Sequence, residues 1–279
     1  MKAWLRRLAQ STPFQPLWRG LTHLAVRGLR DGVPPEHFPS LMRDHRILLS
    51  KLGFGWGSHV EQSGESAALE RARNAMVETP VLFDVGANQG SFTRLFLQHY
   101  PQARTYSFEP AAATFALLQK NLSDAPGARL FPFGLSSSAH SVPLYSDAAG
   151  SGLASVYQRQ TQAGALEPRE TIELRRLDDV CAAEQVDWID YLKMDVEGHE
   201  LEVLHGAEQM LGAGRVRCVQ WEYGGCNLDS RALLKDFCDL LLPRYEVFII
   251  LPGGLVPVAA YDTDLENFLT TNFLAVQRR

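Results

Sequence analysis

The stretch VLFDVGANQGSF, residues 81–92, decides the fold. Val81 to Val85 is a short apolar run of strand length, closed by Asp84 and Gly86. SFTRLFLQHY (91–100) follows with Phe92, Leu95, Phe96 and Tyr100 at helical spacing. Between them, Gly86 allows a tight turn and Gly90 allows backbone to approach a ligand. The N–H groups opening the following helix favour a carboxylate or phosphate at that turn. The stretch is not a dinucleotide fingerprint, because position 88 is Asn and position 91 is Ser. It is not a P-loop either, because no Gly-Lys-Ser/Thr follows.

Outward from this unit the pattern repeats. RTYSFEP (104–110) predicts a second strand, and Pro110 opens a helix reaching Leu122. ARLFPFGL (128–135) predicts a third strand. Residues 136–170, rich in Ser, Ala and Gly, read as a loop insertion with one strand-like run, VPLY. TIELRRLDDV (171–180) and WIDYLKMDV (188–196) are strands, and a helix runs from about Glu200 to Leu211. VRCVQWEYG (216–224) is a strand, RALLKDFCDLLL (231–242) a helix, and YEVFIIL (245–251) and NFLAVQ (272–277) are strands. Such alternation predicts an α/β fold, a mostly parallel sheet with helices on both faces. Upstream, residues 1–52 read as short helices broken at Pro13, Pro16 and Pro34-Pro35. Gly53, Gly55 and Gly57 mark a turn, and residues 65–77 form an amphipathic helix.

Composition narrows the class. The 279 residues are 46% hydrophobic and 21% charged, which excludes a disordered chain, a collagen and a coiled coil. No apolar run approaches the ~18 residues of a spanning helix. The net charge of −5 is uneven: residues 1–50 carry eight Lys/Arg against three Asp/Glu, a net of +5, leaving −10 elsewhere. A nucleic-acid partner would call for a basic surface, so none is expected. Cys181, Cys218, Cys226 and Cys238 form no CxxC pair or metal-ligand spacing with the histidines, and the start has no secretory apolar core. The expected location is cytoplasmic.

In a sheet of this kind ligands bind at the carboxyl ends of the strands. Glu109 ends the second strand, 25 residues after Asp84, where an acid accepts hydrogen bonds from both hydroxyls of a ribose. In LKMDVEGHE (192–200), Asp195 and Glu197 alternate at a strand end and would project to one side if the strand continued. His199 and His205 read as helix-surface residues. Glu222, ending the next strand in WEYGG, faces the same region.

DVGANQGSF, SFEP and LKMDVEGHELEVLHGA, in this order and spacing, resemble the FkbM family of S-adenosylmethionine-dependent methyltransferases over about residues 80–224. The resemblance implies a class I methyltransferase, Rossmann-like, seven-stranded mostly parallel sheet in residues 78–279, preceded by a helical extension, 1–77. It implies O-methylation of a sugar, glycan or polyketide-type natural product. Cofactor contacts would come from Asp84, Gly86, Ala87, Asn88, Gly90 and Phe92, then Glu109 and Pro110, then Gly134, Leu135 and Ser136, with Asp195 at the edge. The family often has Ala-Leu-Ser-Asp after its third strand. Here the chain reads Gly134-Leu135-Ser136-Ser137, so adenine contacts fall to backbone or serine hydroxyls.

Methyl transfer to a hydroxyl needs in-line orientation and removal of one proton, the latter typically worth ~10²–10⁴-fold. Asp195 and Glu197 are the expected bases, with His199 behind them. Asp195 and Glu222 are the ligands if Mg²⁺ activates the hydroxyl instead. Two rival functions are a nicotinamide oxidoreductase of NAD type, which fits Glu109 but not the glycine pattern, and a non-catalytic scaffold. The extension, rich in Leu, Trp and Phe, is expected to cover one side of the catalytic domain or to pair subunits into a homo-oligomer.

Overall fold

The computed structural model describes residues 32, 34–57, 63–125, 127–148, 150–161 and 164–278. Expectations for residues 1–31 lie outside the described residues. The chain falls into two units, Met1–Lys51 and Leu52–Arg279. In the first, α1 (Phe38–Leu52) is amphipathic and buries none of its residues. The structural division lies nearer residue 51 than the expected 77, because α2 (Glu65–Ala72) belongs to the second unit. Its Ala68, Leu69 and Ala72 are fully buried against the sheet.

The second unit is built on β1 (Val81–Val85), β2 (Arg104–Phe108) and β3 (Ala128–Phe131), with β4 (Gly134–Ser136), β5 (His140–Ser146), β6 (Gln160–Thr161), β7 (Gly164–Ala165) and β8 (Glu167–Arg176) following. It continues through β9 (Ile189–Met194), β10 (Val216–Tyr223), β11 (Tyr245–Leu251), β12 (Gly254–Val258) and β13 (Thr271–Gln277). The main sheet has the order β12-β11-β13-β10-β9-β1-β2-β3. From β10 to β3 all neighbours are parallel, while β13 runs antiparallel between β10 and β11. Eight strands stand where seven were expected. The extra one, β12, is a hairpin return from β11 whose Gly253-Gly254 turn punctuates an otherwise apolar run.

Helices cover both faces. On one face Leu82, Tyr191 and Cys218, adjacent in register, meet α2 and α3 (Ser91–His99) through Leu69, Phe92 and Phe96. On the other, Phe83, Leu192, Val219 and Trp221 meet α6 (Glu200–Gly206) and α9 (Leu234–Leu241) through Val203, Leu204 and Phe237. The Trp221 ring stacks between Phe237 and Phe273 at centroid distances of 5.5 and 5.3 Å. Each fully buried large apolar side chain contributes roughly 1.5–3 kcal/mol, so this packing fixes the strand ends above it.

Five expectations need correction. The strand expected over 128–135 is two strands. Pro132, with no N–H and a fixed φ, interrupts the ladder, and the chain leaves the main sheet for a second one. That second sheet, of order β4-β8-β5, takes up both ends of the expected loop insertion, with Leu144, Ile172 and Leu174 in its own core. Residues 177–180 open α5 (Leu177–Ala183) rather than extending a strand. Finally α4 (Ala112–Asn121) begins two residues after Pro110, and the helix expected over 200–211 is α6 followed by α7 (Glu208–Gly212).

Candidate active site

The turn after β1 is built on glycine geometry. Gly86 has φ of +78°, and a Cβ there would lie 1.9 Å from the Asp195 carbonyl oxygen. Only glycine lets the ends of β1 and β9 come this close. Gly86 and Ala87 N–H donate to the Phe108 carbonyl at 3.0 and 2.9 Å. Asn88 adopts φ of +48°, and its N–H donates to Glu109 Oε2 at 3.0 Å. The Ala111 N–H donates to Glu109 Oε1 at 2.9 Å. Burial pushes the Glu109 carboxyl up to about 7, against these two N–H groups. Gly90 caps α3 at φ of +89°, and a Cβ there would meet Leu118 at 3.0 Å and Leu122 at 3.2 Å, so the glycine also lets the end of α4 pack close to the start of α3.

Two cavities meet at this turn. One is lined by Gly86, Asn88, Glu109, Pro110, Gly134 and Leu135, with Ser151 to Val156 opposite, and reaches Asp195, Glu197 and His199. The other, of ≈ 340 Å³, is more polar and lies over Asp84, Ala87, Ser91, Phe92, Lys193 and Glu65. Gly86, Asn88 and Asp195 belong to both. Ser136 lines neither. Its hydroxyl bonds His199 Nε2 at 2.9 Å, and the Ser137 hydroxyl donates to Glu202.

A polar row crosses the sheet face beneath the second cavity, with Ser107, Asp84, Lys193 and Gln220 adjacent in register. Asp84 is buried and accepts from the Thr93 hydroxyl at 2.6 Å, and burial raises its carboxyl to about 6. Glu65, entering from α2, accepts from Gln220 Nε2 at 2.6 Å. The Lys193 ammonium is buried, yet the carboxylates around it, Asp195 first, outweigh the cost of burial and keep it charged.

One step further along the strands, Asp195, Glu197 and Glu222 converge, with carboxylate oxygens all within 4.8 Å of one another. They do not meet by strand alternation, because β9 ends at Met194. The turn carries Glu197 back, at φ of +51°. Asp195 has a side chain 43% exposed, 3.3 Å from Lys193 Nζ. Burial works against its charge, but Lys193 and a hydrogen bond from Glu222 hold the carboxyl below the usual range. Glu222 is buried beside Asp195 and pushed well above the carboxylate range, so it keeps its proton and donates it to Asp195. Glu197 is raised to about 6 by burial and by Asp195, against its ion pair with Arg159.

His199 is not on a helix surface. It caps α6, is buried, and has both ring nitrogens engaged, Nδ1 with the Tyr157 hydroxyl at 3.0 Å and Nε2 with Ser136. Burial lowers it to about 4, so it is neutral. Sequence reasoning missed Lys193, Glu65, Tyr157 and Arg159. Lys193 was findable, as a charge inside a fully buried strand that demands a partner. Tyr157 and Arg159 sit in a stretch with no periodic signal.

The family model described as "Methyltransferase FkbM domain" matches residues 84–242. The chain is 30% identical over 192 residues to the 2-O-methyltransferase NoeI of Sinorhizobium fredii, covering 63% of this chain and 76% of that one. It is 32% identical to the methyltransferase sdnD of Sordaria araneosa, covering 56% and 72%. It is 32% identical to the hexuronic acid methyltransferase AglP of Haloferax volcanii, covering 62% and 69%. Among the described residues no helix is long and apolar enough to cross a membrane.

Proposed function

The chain belongs to the FkbM methyltransferase family, and on that premise we propose that it uses S-adenosylmethionine to methylate a hydroxyl of a sugar, glycan or polyketide-type natural product. One observation carries this reading: the ionised Asp195, supported by Lys193 and Glu222, stands where the two cavities join. NoeI and AglP, named for 2-O-methylation and for a hexuronic acid, support an oxygen acceptor on a sugar.

The residues present fit the cofactor. A Cβ would fill the cradle at Gly86, and each Glu109 oxygen takes one N–H, leaving lone pairs for ribose hydroxyls. Glu109, Pro110, Gly134 and Leu135 would hold the nucleoside, and Asp84, Ala87, Asn88 and Phe92 would face the amino-acid end. The cofactor supplies an electrophilic methyl group on a sulfonium.

The protein supplies orientation and a proton acceptor. Asp195 is exposed enough to meet an acceptor hydroxyl and is ionised, which places it to accept the hydroxyl's hydrogen bond and proton. Glu197, raised to about 6, is the more basic carboxylate of the two. It stands next to Asp195, its charge balanced by Arg159. Lys193 and Glu222 already compensate Asp195, which favours direct proton acceptance over a Mg²⁺ ligand set of Asp195 and Glu222. Loss of activity in EDTA with recovery on adding Mg²⁺ would reverse that preference. The cofactor assignment is tested by calorimetry with S-adenosylhomocysteine against NAD. Binding of NAD in its place would overturn it. A panel of glycan and natural-product acceptors, scored by cofactor turnover, then tests the substrate class.

A further inference from the structure

Residues 151–161 follow β5 of the small sheet, and Ser151, Gly152 and Ala154 to Val156 line one wall of the first cavity. Ser155 forms a backbone bridge with Tyr145, at 2.8 and 2.9 Å, which ties the segment to β5. From there it fastens to the turn after β9 at three points. The Ser155 hydroxyl donates to the Glu197 carbonyl at 2.8 Å. The Tyr157 hydroxyl bonds His199 Nδ1 at 3.0 Å. The Arg159 guanidinium pairs with the Glu197 carboxylate, and its Nε lies 3.6 Å from Asp229 Oδ2 on α8 (Cys226–Ser230).

One arginine therefore spans the segments that follow two neighbouring strands, β9 and β10. Both partners of its main ion pair are largely buried, with side chains 13% and 15% exposed. Facing the pocket, Gly152 comes so near the β1 turn that a Cβ would lie 3.3 Å from Asn88 Nδ2. Gly150 precedes the segment and Gly164, paired with Thr161 in the β6–β7 hairpin, follows it; both have positive φ, and a Cβ at either would meet nothing within 4 Å. This is how hinge residues that absorb a change of φ and ψ are placed.

We propose that residues 151–161 are a strap that closes over the bound nucleoside, and that Arg159 is a positioning residue whose pairs with Glu197 and Asp229 latch it shut. The proposal rests on the cofactor reading given above. A latch of this kind acts on how long the ligand stays more than on how fast it arrives. It also holds Glu197 in its left-handed turn, so opening the strap and displacing Glu197 are one event.

The test uses the full chain with S-adenosylhomocysteine as probe. Arg159→Met should speed its release by about tenfold in stopped flow and raise the KM for S-adenosylmethionine more than it lowers kcat. Hydrogen exchange of amides in residues 150–161 should quicken in the same variant without ligand. Arg159→Lys should restore part of both. Tyr157→Phe, a milder change, should move release and exchange the same way by a smaller factor. Parent-like release and exchange in both Arg159→Met and Tyr157→Phe would overturn the strap, and so would a loss confined to kcat. Calorimetry on the parent separates the two ideas. If the parent itself does not bind S-adenosylhomocysteine, the cofactor reading falls and the strap's role falls with it; if it binds and the variants release it at the parent rate, only the strap is refuted.

Discussion

At the ends of β1 and β2, Asp84 and Glu109 are met by neutral donors, a threonine hydroxyl and two backbone N–H groups. At the ends of β9 and β10, Asp195 and Glu197 are met by cations, Lys193 and Arg159, and Glu222 by Asp195 itself. The difference shows at Asp195 but not at Glu197, which burial and Asp195 raise to about 6 despite Arg159. Thr93 and the neighbouring Lys193 do not fully offset burial at Asp84, nor do the two N–H groups at Glu109, so these rise to about 6 and about 7. At Asp195, Lys193 does offset it, so the carboxyl stays ionised across neutral pH. The first pair is suited to respond to a ligand and the second to take a proton from one.

The largest effect is expected where the cation-supported pair acts. Asp195→Asn keeps shape and removes basicity, so turnover should fall by ~10²-fold or more while S-adenosylhomocysteine affinity stays near the parent value. Parent-level turnover in both Asp195→Asn and Glu197→Gln would dissolve the contrast between the two regions. Next comes the neutral-donor pair. Glu109→Ala should weaken the same ligand by ~1.5–3 kcal/mol in calorimetry above pH 7, where the acceptor removed is charged.

The contrast can be sharpened by pH. With Glu109 raised, the folded protein holds a proton that the unfolded chain has released between pH 4.5 and about 7. Stability of the ligand-free protein should therefore fall as pH rises through that window, by up to ~3 kcal/mol from this group. Glu109→Gln should flatten that part of a pH–denaturation series. Asp195 has the opposite sign: its contribution is present above the ordinary Asp pKa and is lost as pH falls below it. The smallest effect lies away from both pairs. A chain shortened to begin at Leu52 should bind cofactor like the parent, whereas one beginning at Glu78 loses α2 with its buried Leu69 and Glu65 and should be markedly less stable to heat. Equal melting temperatures would mean that α2 is dispensable.

What was legible in the sequence follows from how local each signal is. The order of β1, α3, β2, β9 and β10 was readable because each is a periodic run closed by Gly, Pro or acid. The carboxylates were readable because they end those runs. The second sheet was not, since β5 and β8 are half-exposed strands in a polar segment and their partner is found only across the fold. The packing of Gly90 against Leu118 and Leu122 was not legible, because they are some thirty residues away. The same holds for His199, whose burial depends on Tyr157 and Ser136.

Pro132 has a consequence for how this scaffold can change. By ending β3 and handing the chain to β4, it makes a seam between a sheet that carries the chemistry and a smaller one that carries the strap. The segment from 137 to 166 leaves β4 at its carboxyl end and rejoins the sheet at the amino end of β8, and its Ser155, Tyr157 and Arg159 grip His199 and Glu197 across the seam. Diversification of ligand handling in the smaller module is then free where it lines the pocket and bound to the larger module at those three side chains.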